Sequence, residues 1–475
     1  MNKVKNSDFR FHFSVYNLSH FIIVCVITFS LCLSNSTAFS QEIQETLTLD
    51  RCIKLALSNN ELIKIAEQNL NVAKGKRLQA FSHFLPHLSF VSSYTRLSEI
   101  ATLDMTSMLL QPEGDIGSLV RFYGYDTYKY EMGRKDNYSA KLSLTQSVFT
   151  WGKNYQGYKQ AAFNCIVAQE EYNRTKNELI LNVKRAFYSV LLTEQFVTIC
   201  QEAVNVIEKH YNVTKALYKE GKVSGYDVSR VKVQLVNAKT ELIKAENKRR
   251  LARKSLLNIV NSPKTSDMRI KGELNKDSIY ENQSMEEIKK LALKNRPEIK
   301  QIKIQKKIGK SMVNLAKAQN MPNIIFSGTY EYKKPFYFEN KWDKSWNVSC
   351  ILSFPFFTGF STFGSIKQTK SIYNQIILKE SFLIEKIKLE VEKAYLDLEE
   401  AKERIDAQKE NVKTARKNLD IAQERYKRGL MSDIEVRDAQ LSLTQAETSY
   451  LQALYDYNVA QAELEKAVGK KRKEE

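Results

Sequence analysis

Glycine and proline are scarce, 16 and 7 in 475 residues. So little punctuation argues against many short elements joined by turns and favours a few very long ones. Histidine is rarer still: of five, only His83, His87 and His210 lie beyond an N-terminal leader. Their spacing fits no metal-ligand motif, and no glycine-rich phosphate loop or nucleophile elbow occurs. We therefore expect no enzyme, no cofactor and no metal. Six cysteines give no disulfide framework: Cys25 and Cys32 fall in the leader, and Cys165 and Cys200 share one predicted helix, about 50 Å apart. After the leader no run reads as a transmembrane helix.

The leader has the build of a secretory signal peptide over residues 1–40. Lys3, Lys5 and Arg10 precede an apolar run from Phe21 to Leu33, and Ala38-Phe39-Ser40 supplies small residues for cleavage. Three positive charges and one negative leave with it, so the formal +19 becomes +17. An exported basic chain without a compact basic patch carries solvated Lys/Arg faces, and nucleic acid is not expected as a partner.

What the chain does have is an internal copy of itself. Tyr218-Lys-Glu-Gly221-Lys-Val-Ser224-Gly225-Tyr226-Asp227-Val228 returns as Tyr426-Lys-Arg-Gly429-Leu-Met-Ser432-Asp433-Ile434-Glu435-Val436, an offset of 208. Each copy interrupts a long stretch free of Gly and Pro. Gly221 and Gly429 stand where a helix ends in a left-handed residue, and Ser224 with Asp227, or Ser432 with Glu435, has the capping-box spacing that starts the next. These are the bends of two long helical hairpins, at 221–225 and 429–433. Upstream, Leu55-Ala56-Leu57-x-Asn59 matches Leu291-Ala292-Leu293-x-Asn295, and Pro86 matches Pro322, at an offset of 236. The chain is a tandem duplication, 41–262 and 284–469, joined by a polar linker at 263–283 and followed by a charged tail, 470–475. The first copy carries 28 extra residues, the difference between the two offsets, in a long surface loop, 96–137.

After each proline the period changes from 3.6 to 2. Tyr138, Ala140, Leu142, Leu144 and Val148 alternate with Ser139, Lys141, Ser143, Thr145 and Ser147; Trp346, Val348, Cys350 and Leu352 alternate with Ser345, Asn347, Ser349 and Ser353. With weaker partners these give strands at about 87–97, 138–149, 323–333 and 345–357. One apolar, aromatic face and one small polar face is the pattern of a membrane barrel strand. In the return arms, Val228, Val231, Leu235, Ala238, Leu242, Ala245 and Val436, Ala439, Leu443, Ala446, Tyr450, Ala453, Tyr457, Ala460, Leu464, Ala467 step by 3 and 4, a coiled-coil seam.

A signal peptide, then twice a short helix, a β-hairpin and a long helical hairpin: this order resembles the TolC family of outer-membrane efflux proteins. The resemblance rests on Leu49 to Asn60, Ala80 to Pro86, and Tyr426-Lys-Arg-Gly429 through Asp438-Ala-Gln to Gly469. It implies a homotrimer in which three times four strands close a twelve-stranded barrel, continued by an α-helical tunnel across the periplasm of a Gram-negative cell. It implies a passive exit duct for efflux or type I secretion, served by a periplasmic adaptor and an inner-membrane pump. It places Asp227 and Tyr426 at gate positions, Glu435 and Asp438 in a pair of acidic constriction rings, and the bends, with Gly221, Ser224, Gly429 and Ser432, at the adaptor-docking end. Met431 stands where the well-studied member has an arginine that bridges helices. Glu435 and Asp438, at i and i+3, share a helical face; capping alone is the plainer reading of Glu435 and Asp227. The alternatives are a periplasmic adaptor or coiled-coil scaffold without a pore, and a filamentous surface protein.

Overall fold

The computed structural model describes residues 46–104, 129–261, 269–276, 283–337 and 339–469. The leader, the middle of the long first loop, most of the linker and the charged tail lie outside these residues. The first half runs α1 (Leu49–Asn59), α2 (Glu61–Ser82), β1 (His87–Arg96), β2 (Thr102–Asp104), β3 (Lys129–Glu131), β4 (Asp136–Phe149), α3 (Lys153–Lys219) and α4 (Gly225–Val260). The second runs α5 (Met285–Asn295), α6 (Pro297–Ala318), β5 (Asn323–Lys334), β6 (Asp343–Ser353), α7 (Ser361–Lys427) and α8 (Asp433–Val468). The duplication is kept to the residue. Both ends of α5 and α6 lie 236 positions after those of α1 and α2, and both ends of α7 and α8 lie 208 after those of α3 and α4.

Three of the four short helices begin on side-chain caps, and α6 begins instead on Pro297 at its first position. Thr48 Oγ1 accepts from Arg51 N, Asn60 Oδ1 from Leu62 N, and Ser284 with Glu287 forms a capping box. Their apolar faces (Cys52, Ile53 and Ala56; Ile288 and Ala292) seat in two cores with Leu179, Val183, Phe187 and Val190 of α3 and with Ile387, Val391, Tyr457 and Leu464 of α7 and α8. These cores lie at the middle of the long helices. Every position of the predicted seam in α4 and α8 is buried or half-buried. At 67 residues each, α3 and α7 span about 100 Å. One expectation is corrected: by length and composition α3 contains an 18-residue window apolar enough to cross a membrane, 22% of it buried, although Leu179, Val183, Phe187 and Val190 of the same helix are buried in the core.

The connection between the halves is not a free tether. Leu47 pairs in parallel with Ile270, Leu274 is buried, Tyr457 Oη donates to Lys276 O at 3.0 Å, and Lys276 Nζ pairs with Asp406 at 2.6 Å. Gly272 is pressed so close to the buried Phe187 ring that a Cβ would lie 2.8 Å from it. Gly272→Ala is therefore expected to lower stability by about 1–3 kcal/mol through overpacking, read as a fall in melting temperature without loss of helical circular dichroism.

The four main strands form one antiparallel sheet in the order β1-β4-β5-β6. Leu88, Leu144, Gly328 and Val348 lie in one cross-strand row, and Phe90, Leu142, Tyr330 and Trp346 in the next. The opposite face carries Ser89, Ser143, Thr329 and Asn347 in one row and Ser93, Ser139 and Lys333 in another. β6 ends at Ser353 instead of near 357, because Pro355 has no N–H to continue the ladder. Phe354, Phe356, Phe357 and Phe360 belong to the connection into α7. The long loop begins as paired structure, with β2 antiparallel to β3.

Candidate functional site

Two regions carry groups that packing alone leaves without a purpose: the sheet, with its large exposed aromatics, and the hairpin bends at the opposite end of the helices.

At the loop end of the sheet, the Tyr94 and Tyr138 rings lie 4.9 Å apart, Tyr332 stacks on Trp342 at 5.1 Å, and Tyr138 touches Trp342 at 5.9 Å. At the helix end, Phe149 meets Trp151, Phe354 meets Phe356, Phe357 meets Phe360, and Phe81, Phe84 and Tyr158 cluster. From Tyr138 to Phe149 the strand rises about 36 Å, or about 28 Å along the normal at the usual barrel tilt. Two aromatic girdles thus bracket an apolar band of the height a bilayer requires. Phe356, Phe357, Phe360 and Trp346 are each more than 70% exposed, a condition that suits lipid and not water. Among the described residues β1 and β6 are open edges, and unpaired ladder groups cannot remain so in hydrocarbon.

At the bends, Gly221 (φ +74°) and Gly429 (φ +72°) close matching helix ends. Lys222 N donates to Leu217 O and Gly221 N to Tyr218 O; Leu430 N donates to Arg425 O and Gly429 N to Tyr426 O. Both following helices open on a capping box. Asp227 accepts from Ser224 N and Oγ (3.1 and 2.7 Å), and Glu435 accepts from Ser432 N and Oγ (2.7 and 2.8 Å). The backbone and hydroxyl bonds from Ser432 hold the Glu435 carboxyl below the usual carboxylate range. Asp438 lies one turn on, exposed and paired with Arg437 at 3.1 Å.

Tyr426 and Asp227 share no hydrogen bond among the described residues: Asp227 is held by Ser224 and Arg230, and Tyr426 by Thr214. Tyr426 turns inward, 6% exposed, with its hydroxyl 3.1 Å from Thr214 Oγ1 and its ring 4.7 Å from that of His210. Met431 packs against the small cluster of Ala422, Tyr426 and Val436. The site's centre is a residue that the sequence reading passed over, Asp433, whose side chain is only 3% exposed. Its Oδ1 lies 2.6 Å from His210 Nε2, and its Oδ2 accepts from Arg230 at 2.9 Å (Nε) and 2.8 Å (Nη2). Arg230 also reaches Asp227 Oδ1 at 3.2 Å. Burial alone raises the Asp433 carboxyl, but the bond and charge of His210 and the guanidinium of Arg230 outweigh it and leave it below the ordinary range. A depressed carboxyl stabilises the fold above its unfolded value, about 3.9, and loses that contribution as pH falls through the lower folded value. Asp433→Asn is accordingly expected to weaken the pH dependence of the melting temperature in the acid range, measured on detergent-extracted protein.

The copies also reveal what singles this site out. Asp433, Arg230, His210 and Thr214 stand opposite Gly225, Asp438, Asn418 and Ala422 of the other copy at the 208 offset. The paired tyrosines differ likewise: Tyr426 is buried and Tyr218 is 51% exposed.

A sequence profile described as outer membrane efflux protein matches residues 52–262 and 289–470. The chain belongs to the outer membrane efflux protein family. It is similar to the probable efflux pump outer membrane protein TtgC of Pseudomonas putida, 20% identical over 427 residues, which cover 89% of this chain and 82% of that one. Its fold is that of the outer membrane protein VceC from Vibrio cholerae (TM-score 0.72, 17% identity, 89% of this chain and 96% of the other). It is also that of the Neisseria gonorrhoeae MtrE outer membrane channel, solved in its open state (TM-score 0.71, 19% identity, 89% and 88%). This member of the efflux family is an outer-membrane channel component with its helical hairpins in the periplasm. The adaptor and poreless-scaffold readings fall with that finding, since two open sheet edges and two aromatic girdles have no use in either.

Proposed function

We propose that the protein works as a homotrimeric exit duct, opened at its periplasmic end by an adaptor that links it to an inner-membrane pump. The observation that carries this reading is the open four-stranded sheet with aromatic girdles at both ends, continuous with hairpins about 100 Å long. Because neighbouring strands are antiparallel, β6 of one copy can pair with β1 of the next in the same sense, and three copies close twelve strands with no edge left in lipid.

The helices support the same stoichiometry. Leu378, Phe382, Leu389 and Leu396 on α7 and Val233, Val236, Ile243 and Leu251 on α4 are each at least 50% exposed, in steps close to 3, 4 and 7. Those stripes have the spacing of a coiled-coil seam and lie exposed among the described residues. Copies packed side by side would cover them. Phe382→Glu with Leu389→Glu is expected to reduce the trimer to monomers in mild detergent, measured by light scattering; a mass unchanged from that of the unaltered trimer would count against this packing.

In a trimer, Glu435 and Asp438 of three chains put six carboxylates about one axis, and we assign them the narrowest part of the lumen. Such a ring favours cations and binds divalent ions. Gly221, Ser224, Gly429 and Ser432 form the tips, where Tyr226 and Leu430 stand more than 70% exposed for an adaptor's helical ends to cover.

A further inference from the structure

We propose that the helix ends nearest the sheet form a basic collar that binds the phosphate headgroups of anionic phospholipid in the periplasmic leaflet of the outer membrane. The charge there is of one sign. Residues 74–85 at the end of α2, 150–169 at the start of α3, 299–322 in α6 and 354–379 at the start of α7 hold Lys and Arg but no Asp or Glu. Acidic residues return at Glu67, Glu170, Glu298 and Glu380, each about 20–30 Å along its helix from the sheet at 1.5 Å per residue. Beyond that level α3 and α7 carry both signs, so the collar is more than a sample of a basic composition. The site needs only the outer-membrane location, not the duct.

The lysines share the face of the girdle aromatics. Lys367 follows Phe360 by seven residues, and Lys370 follows Phe363 by seven, so each lies two turns along the same side of α7. Both rings are at least 70% exposed. On α3 the Lys159 ammonium lies 5.8 Å from the centres of the Tyr155 and Phe163 rings, and Lys307 of α6 reaches the same Phe163 ring at 6.0 Å. Lys303, Lys307, Lys310 and Lys317 step by 4, 3 and 7 and are all exposed, one stripe of α6 that joins this face. Gly157, Ala161, Asn164 and Ala168 take the opposite side of α3, as small and polar as the second face of the sheet. The duplication keeps the charge: Lys74 recurs as Lys310 at the offset of 236, and Lys159 as Lys367 at 208, although most neighbouring residues differ. Lysine stems can lie along the apolar girdle while their ammonium groups reach the headgroup layer. There, within a Debye length of about 8 Å, positive charge is drawn to an anionic surface.

The test uses the full mature protein in phosphatidylcholine vesicles with a trace of spin-labelled lipid. It compares labelled phosphatidylglycerol with labelled phosphatidylcholine in the motionally restricted signal of lipid at the protein surface. The unaltered protein is expected to prefer phosphatidylglycerol by about threefold or more. That preference should fall in 1 M salt, where the Debye length shrinks to about 3 Å. Lys74→Gln, Lys159→Gln, Lys310→Gln and Lys367→Gln together are expected to remove most of it, and the same four positions changed to Arg should retain it. A purely solvated face would show no such split. If the fourfold glutamine variant fails to fold, Lys159→Gln with Lys367→Gln decides alone. Equal affinity of the unaltered protein for both lipids, or an undiminished preference in the glutamine variant, would overturn the collar and leave the channel assignment intact. A glutamine variant that keeps its lipid preference but shifts the reversal potential of open channels would place these lysines in the lumen, which also overturns it.

Discussion

Neutralising the two carboxylates on the first turns of α8, Glu435→Ala with Asp438→Ala, is expected to abolish cation preference and divalent block in the open duct, a change of about tenfold or more in relative permeability. The two residues differ in how they reach that effect. Glu435 is anchored by Ser432 and stays ionised below the ordinary glutamate range. Selectivity should therefore persist into acid, fading only as the pH falls through that depressed value. Asp438 shares its charge with Arg437, so Asp438→Ala alone should change selectivity less than Glu435→Ala alone. Reversal potentials under a salt gradient, taken for each single variant and the pair across a pH series, check both statements. Equal selectivity in the double variant would reduce Glu435 to a helix cap and move the constriction elsewhere.

The largest loss of stability is expected from Tyr457→Ala, about 3–5 kcal/mol. The ring is fully buried in the core of the second copy, and its hydroxyl holds the connecting segment at Lys276. Truncation opens a cavity among Ile387, Val391 and Leu464 and frees the segment between the halves together. Tyr457→Phe removes only the hydrogen bond and should cost about 1 kcal/mol. Denaturant or thermal unfolding of the detergent-extracted protein separates the two, and near-equal effects would mean that the cavity is relieved by repacking.

Most of the fold was legible because the sequence says it twice. Gly221 and Gly429, Ser224 and Ser432, and Pro86 and Pro322 recur at fixed offsets, and the element ends obey those offsets throughout. The alternation in Tyr138 to Ser147 and Trp346 to Ser353 gave strands with one lipid-suited face, and Pro355 marked an end that alternation alone overshot. The candidate site was less legible for the same reason. A search for what the copies share finds caps and helix ends, whereas Asp433, Arg230, His210 and Thr214 are places where the copies differ. Asp433 follows Ser432 directly and reads as an ordinary acidic first-turn residue. Only the burial of its side chain against α3 and α4, residues 223 and 203 positions away in sequence, turns it into the centre of a network. A comparison of the copies for unlike charges near the bends would have found it.

In the proposed assembly three chains close one continuous duct from the periplasmic tips through the outer membrane. The most direct measurement is single-channel conductance of the purified, detergent-extracted trimer in a planar bilayer. Discrete, cation-preferring, divalent-sensitive steps are the predicted result. Well-folded trimers that insert into the bilayer and pass no current at any voltage would contradict it.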